Sequence, residues 1–177
     1  MKNKKPIVFL LIGIIIIISS CVADRMDRHR NIPIQNNTNH SVYVLEESKE
    51  QYFMFPSFQD TILQPWYCDP STDSTTSLIK PREEKALFSR SGYEYEFGYE
   101  YDTLLVFVIN ADTLKTYGWD TVRVNYKVEQ RYDLSLADLQ SVDFRLTIPP
   151  TKAMKHIHMW PPYGTYGQKG SNKKLKP

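Results

Sequence analysis

The sequence predicts a mainly β domain, β-sandwich-like with an Ig-like arrangement as one option, carrying one or two short helices; an α+β fold is the alternative. Three observations lead there. Aromatic residues are abundant, with 12 Tyr, 8 Phe and 3 Trp against only 7 Gly, and such residues suit pleated, half-buried surfaces. Residues 103–110 (Thr-Leu-Leu-Val-Phe-Val-Ile-Asn) are apolar on both faces of an extended chain, as expected of a central strand. Only two cysteines are present, Cys21 at the end of a leader-like segment and Cys68, so at most one disulfide is available and the fold must rest mainly on an apolar core.

The chain opens with Lys2, Lys4 and Lys5, continues through an apolar run from Ile7 to Ile18 broken only by Gly13, and reaches Ser19, Ser20 and Cys21. A positive start, a short apolar core and small residues before a cut mark an export signal. A bilayer-spanning helix needs about 20 apolar residues, more than this run supplies. Ile18-Ser19-Ser20-Cys21 resembles the bacterial lipobox, which implies that the thiol of Cys21 receives diacylglycerol, residues 1–20 are removed, and the new amino terminus is acylated. Several acyl chains, at about 0.8 kcal/mol per buried methylene, anchor a protein where one chain is marginal. Residues 21–31 are charged and non-periodic and read as a tether. No acidic residue follows Cys21 directly, since Val22 and Ala23 come next. The expected location is therefore the outer membrane, on either its periplasmic or its outer face.

Residues 21–177 form one domain of ordinary size, with its body over 32–150. Removing the three leader lysines takes the formal charge from +2 to about −1. No global basic field results, which argues against a nucleic-acid partner. Residues 32–35 and 41–46 are short strand candidates joined by Asn36-Asn37-Thr38-Asn39-His40, residues that tolerate turns; a hairpin or another connected strand pair is expected. In the second, Val42 and Val44 point one way, Tyr43 and Leu45 the other, as inside a sandwich. Residues 47–77 are loop-like, and 78–89 supply another strand. Cys68 reads as a small half-buried apolar residue, because no neighbouring cation would lower its pKa.

From 93 to 101, Tyr93, Tyr95, Phe97, Tyr99 and Tyr101 alternate with Glu94, Glu96, Gly98 and Glu100. Period two predicts an edge strand with its rings on the core; a platform for sugar rings built from Tyr93, Tyr95 and Tyr99, helped by Trp160, is the functional alternative, and a flexible loop a third. Residues 112–117 form a turn or short helix. Residues 119–128 fit either periodicity, with a short helix favoured ahead of a strand at 128–133. Ser135 caps a short helix with Asp138 at its third position, close to a capping box. A last strand at 143–148 stops at Pro149-Pro150, and 151–177 is expected to be a loosely ordered tail rich in proline, aromatic and basic residues.

Three stretches, 35–44, 104–114 and 130–140, resemble segments of small uncharacterised lipoproteins of Bacteroides-type bacteria. That resemblance covers roughly residues 30–150 and implies a lineage, with no activity attached. Such bacteria glycosylate exported proteins at Asp followed by Ser or Thr and an aliphatic residue or Thr. The resemblance implies Ser74 and Thr61 as acceptors, Ser74 first because it lies in a polar loop. Asp102-Thr103, Asp112-Thr113 and Asp120-Thr121 share the pattern, which also suits turns and element starts.

His156 and His158 flank Ile157, and in an extended segment two imidazoles would share one face for Cu or Zn. Two ligands in a tail make a weak site. No metalloprotease, Cys-pair, phosphate-loop or nucleophile-elbow motif is present. The sequence thus points to no enzyme and no cofactor. It points to a lipid-anchored, non-catalytic binding or accessory protein of the cell envelope, with a carbohydrate-binding lipoprotein as the alternative and metal handling third. Its partners are the membrane through the lipid and a glycan or another envelope protein. A deep pocket with converging polar groups would argue instead for an enzyme.

Overall fold

A computed structural model describes residues 29–50, 69–72, 78–99 and 101–166. Among these residues eight strands form two sheets, and four short α-helices decorate them. The strands are β1 (Asn31–Asn36), β2 (Val42–Glu50), β3 (Leu78–Ile79), β4 (Glu84–Phe88), β5 (Tyr101–Asn110), β6 (Gln130–Leu134), β7 (Leu146–Ile148) and β8 (His158–Trp160). The helices are α1 (Tyr93–Tyr99), α2 (Ala111–Tyr117), α3 (Trp119–Val124) and α4 (Leu136–Ser141). One sheet has the order β4-β1-β7, with β1 antiparallel to β4 and parallel to β7. The other is fully antiparallel, in the order β3-β2-β5-β6-β8. The mainly β, sandwich-like expectation holds, with more helix than the one or two expected.

The alternation of side chains along a strand builds three layers. Even residues of β5 (Leu104, Val106, Val108) meet Ile32 and Ile34 of β1 and Leu146 and Ile148 of β7 in one core between the sheets. Odd residues (Leu105, Phe107, Ile109) meet Leu114 and Val122 of α2 and α3 in a second core on the other face. β2 divides the same way, with Val42 and Val44 inward and Tyr43 and Leu45 toward the helices. A strand covered on both sides must be apolar on both sides, which is why 103–110 reads without alternation.

Tyr132 joins the two sheets: fully buried on β6, its hydroxyl donates to the carbonyl of Thr147 on β7 at 2.9 Å. Burial first, and then the nearby Glu129 carboxylate, push this phenol far above its ordinary value. Burial raises Tyr93 and Tyr166 as well. The folded state holds a proton that the unfolded chain releases near pH 10. Stability is therefore fully present below about pH 10 and falls as pH rises beyond it, by up to about 1.4 kcal/mol per pH unit for each such tyrosine. Tyr132→Phe is expected to flatten that alkaline slope by one such increment. Near neutral pH it should cost about 1–3 kcal/mol, because the Thr147 carbonyl loses its donor. Urea unfolding at about pH 8 and about pH 11 measures both; an unchanged alkaline slope would refute the assignment.

Five expectations change. Residues 78–89 supply two short strands, β3 and β4, which belong to different sheets. Residues 93–99 are a helix, not an edge strand. The side-chain oxygen of Ser89 accepts from the Gly92 amide at 2.7 Å, Ser89 and Ser91 both bond Glu96, and the Glu96 amide donates to Gly92. This serine–glutamate start outweighs the period-two pattern. The odd aromatics then split by helical spacing: Tyr93 and Phe97 pack on the core, while Tyr95 and Tyr99 lie outside. Next, β1 and β2 are not a hairpin, since their turn crosses from one sheet to the other. β2 also runs on to Glu50, through residues expected in a loop. Finally, the segment from 151 is no loose tail as far as Tyr166. It forms a 3₁₀ turn (Lys152–Met154), the strand β8 and further core, with Met154, Ile157 and Met159 buried, so the domain extends beyond 150. The preferred helix-then-strand reading of 119–133 holds, as does the capping box of Ser135 and Asp138 on α4.

Candidate functional site

Cys21, Thr61, Cys68 and Ser74 lie outside the described residues. Among the remaining Asp-Thr pairs, Asp102-Thr103 bond each other at 2.8 Å as β5 begins, Asp112-Thr113 open α2 under the Asn110 cap, and Asp120-Thr121 open α3. Each serves an element start.

The two candidate metal histidines are drawn to different acids. His158 contacts Asp133 at 2.8 Å, which also grips Arg131, and so fastens β8 to β6. His156 bonds Ser141 at 2.8 Å and faces Asp138 at 3.8 Å on α4. Among the described residues no group of three or more His, Cys, Asp or Glu is placed to hold a metal. The aromatic platform is dispersed: Tyr93 is buried, Tyr95 and Tyr99 pair on α1 at 4.7 Å, and Trp160 stands edge-on to Tyr126 at 5.3 Å.

A different place has the shape of a site. An open cleft of about 700 Å³ lies where the β1–β2 turn, β3 and the α2–α3 junction meet, with Asp69 and Ser71 on its rim. Tyr43 of β2 and Trp119 of α3 supply ring surface, and both pack partly against the second core. Asn39, His40, Asp69, Asp112 and Lys115 supply amide, imidazole, carboxylate and ammonium groups.

Each wall has a local cause. The turn is organised by Asn36, which is fully buried. Its amide nitrogen donates to the carbonyls of His40, Ile79 and Lys80 at 2.9, 3.1 and 3.2 Å, and its oxygen accepts from the amide and hydroxyl of Thr38. His40 is held from behind by Glu129 at 2.9 Å, and Glu129 also accepts from Tyr166 at 2.6 Å. The segment expected as a tail therefore props the cleft wall. On the far side, Gly118 joins α2 to α3 with φ 73° and ψ 159°, a region essentially reserved for glycine, and this bend turns Trp119 into the cleft. No protein-family model, curated protein or solved structure matches the chain.

In sequence, Asn39 and His40 belonged to a turn, Trp119 to an ambiguous helix and Asp69 to a loop. Nothing marked them as neighbours. The usable signals were Gly118 beside a tryptophan and the asparagine-rich turn.

Proposed function

We propose that the protein is a lipid-anchored, non-catalytic binding protein of the cell envelope, with the cleft as its ligand site. The observation that carries this reading is the lining of the cleft: two aromatic rings set among carboxylate, amide and ammonium groups in an open groove. Such a surface recognises by stacking and hydrogen bonding. The cleft's histidine, His40, bonds Glu129 at 2.9 Å and so helps hold the wall that carries Asn39. The lipid anchor rests on Ile18-Ser19-Ser20-Cys21.

A saccharide is the ligand class the lining favours, since sugar rings offer apolar faces to Tyr43 and Trp119 and hydroxyls to Asp69, Asp112 and Asn39. The test is titration calorimetry of a panel of oligosaccharides against the protein and Trp119→Ala. At least one saccharide is expected to bind, and the variant to bind it about ten-fold more weakly or worse, a loss of about 1.4 kcal/mol. A blank panel, or equal affinity in the variant, would remove the saccharide.

A further inference from the structure

The chain leaves the domain toward its amino terminus at one well-held point. The carbonyl of His29 accepts from the Tyr93 amide and that of Arg30 from the Ser89 amide, both at 2.9 Å, and Asn31 is in register with Phe88. The His29 ring contacts Glu94 at 2.6 Å and stacks on Phe144 at 3.8 Å with its plane only 6° off parallel. Among the described residues these contacts, apart from Phe144, come from residues 88–94. Within or just beyond this stretch stand three exposed aromatic side chains: Phe88 at 61 % exposure, Tyr95 at 38 % and Tyr99 at 70 %. Among the described residues the other exposed large apolar side chains belong to α2, α3 and residues 160–163.

Eight peptide units separate Cys21 from His29. Fully extended they span about 29 Å, at about 3.6 Å each, and as a flexible coil about 16 Å. An acyl group on Cys21 would therefore hold the exit point within a short distance of the lipid headgroups. The stretch carries both signs: Arg25, Arg28, Arg30 and the exposed Arg90 stand beside Asp24, Asp27, Glu94, Glu96 and Glu100, so it offers arginines to anionic headgroups without a net positive field. Aromatic rings with a polar edge settle at the headgroup level of a bilayer, and arginines there attract anionic lipid.

We infer that the face formed by Phe88, Tyr95 and Tyr99 at the tether exit lies against the membrane surface and touches lipid headgroups. This rests on lipidation at Cys21. It orients the cleft's domain on the bilayer instead of leaving it to swing on a string.

The test is hydroxyl-radical footprinting of the full-length lipidated protein reconstituted on vesicles of mixed zwitterionic and anionic lipid, compared with the Cys21→Ala protein free in solution. Tyr117 and Tyr163 serve as exposed internal references. Oxidation of Phe88, Tyr95 and Tyr99 is expected to fall severalfold on vesicles, with Tyr117 and Tyr163 unchanged. Equal oxidation of all five residues in protein that floats with the vesicles would overturn the membrane face while leaving the anchor intact. Protection of the three residues in the free protein as well would also overturn it, showing a contact between copies. Failure of the wild type to float with vesicles would overturn the anchor, and the membrane face with it.

Discussion

Cys21→Ala is expected to move the protein from the membrane pellet to the soluble fraction almost completely. The effect is large because nothing in the described part of the chain substitutes for acyl chains: none of its helices is long and apolar enough to cross a bilayer. The contact inferred for Phe88, Tyr95 and Tyr99 is a few side chains wide, far weaker than acyl chains contributing about 0.8 kcal/mol for each buried methylene. Fractionation at physiological and high salt checks this. Metabolic labelling with a fatty acid shows lipid on the wild type and none on the variant. A Cys21→Ala protein that stays in the pellet, or a wild type that takes no label, would end the lipoprotein reading. The folded domain should be unaffected, because Cys21 lies eight residues before the first described contact at His29.

Asn36→Asp is expected to cost about 3–5 kcal/mol, a large share of the 5–15 kcal/mol that keeps an ordinary domain folded. The change keeps the shape and removes the donor. A carboxylate at 36 would face the carbonyls of His40, Ile79 and Lys80 at about the 3 Å where the amide now donates, and it would be buried without a counter-charge. Such an acid titrates above its unfolded value near 3.9. The variant's deficit is therefore smallest below that pH, where the acid is neutral in both states, and grows as pH rises through the folded pKa. Asn36→Ala leaves the same carbonyls and the Thr38 amide without their partner and should fall in the same range at every pH. Denaturant unfolding across about pH 4 to 8 reads both. A loss below about 1 kcal/mol would show that the turn does not depend on Asn36. Because Asn39 and His40 line the cleft, any variant that remains folded should also bind ligand more weakly.

The two predictions depend on different kinds of information. Cys21 was legible as a candidate because a lipobox is a linear segment of four residues, whatever the domain later does. Asn36 was legible only as one of several turn-forming residues, because its burial is created by β3 and by the crossing of the chain between sheets. The histidines make the same point. His156 and His158 lie two apart and share a face in principle, yet Asp138 and Asp133 come from separate elements and pull them to separate duties. The alternation of 93–99 misled because spacing of two is shared by a strand and by two opposite stripes of a short helix, and only the Ser89–Gly92–Glu96 bonds choose between them.

By itself the sequence carried the lipobox-like segment on which the proposed anchor rests, and it determined the β-rich class, the doubly covered central strand β5 and the capped helix α4. Each depends on neighbours in the chain or on apolar periodicity. Only the tertiary structure decided that β1 and β2 belong to different sheets, that residues up to 166 complete the domain, and that Tyr43, Asn39, His40, Asp112 and Trp119 share one cleft. Those outcomes rest on contacts between residues far apart in the chain, such as Tyr132 with Thr147 and Glu129 with both His40 and Tyr166. Their energies arise from burial and pairing that no local pattern carries.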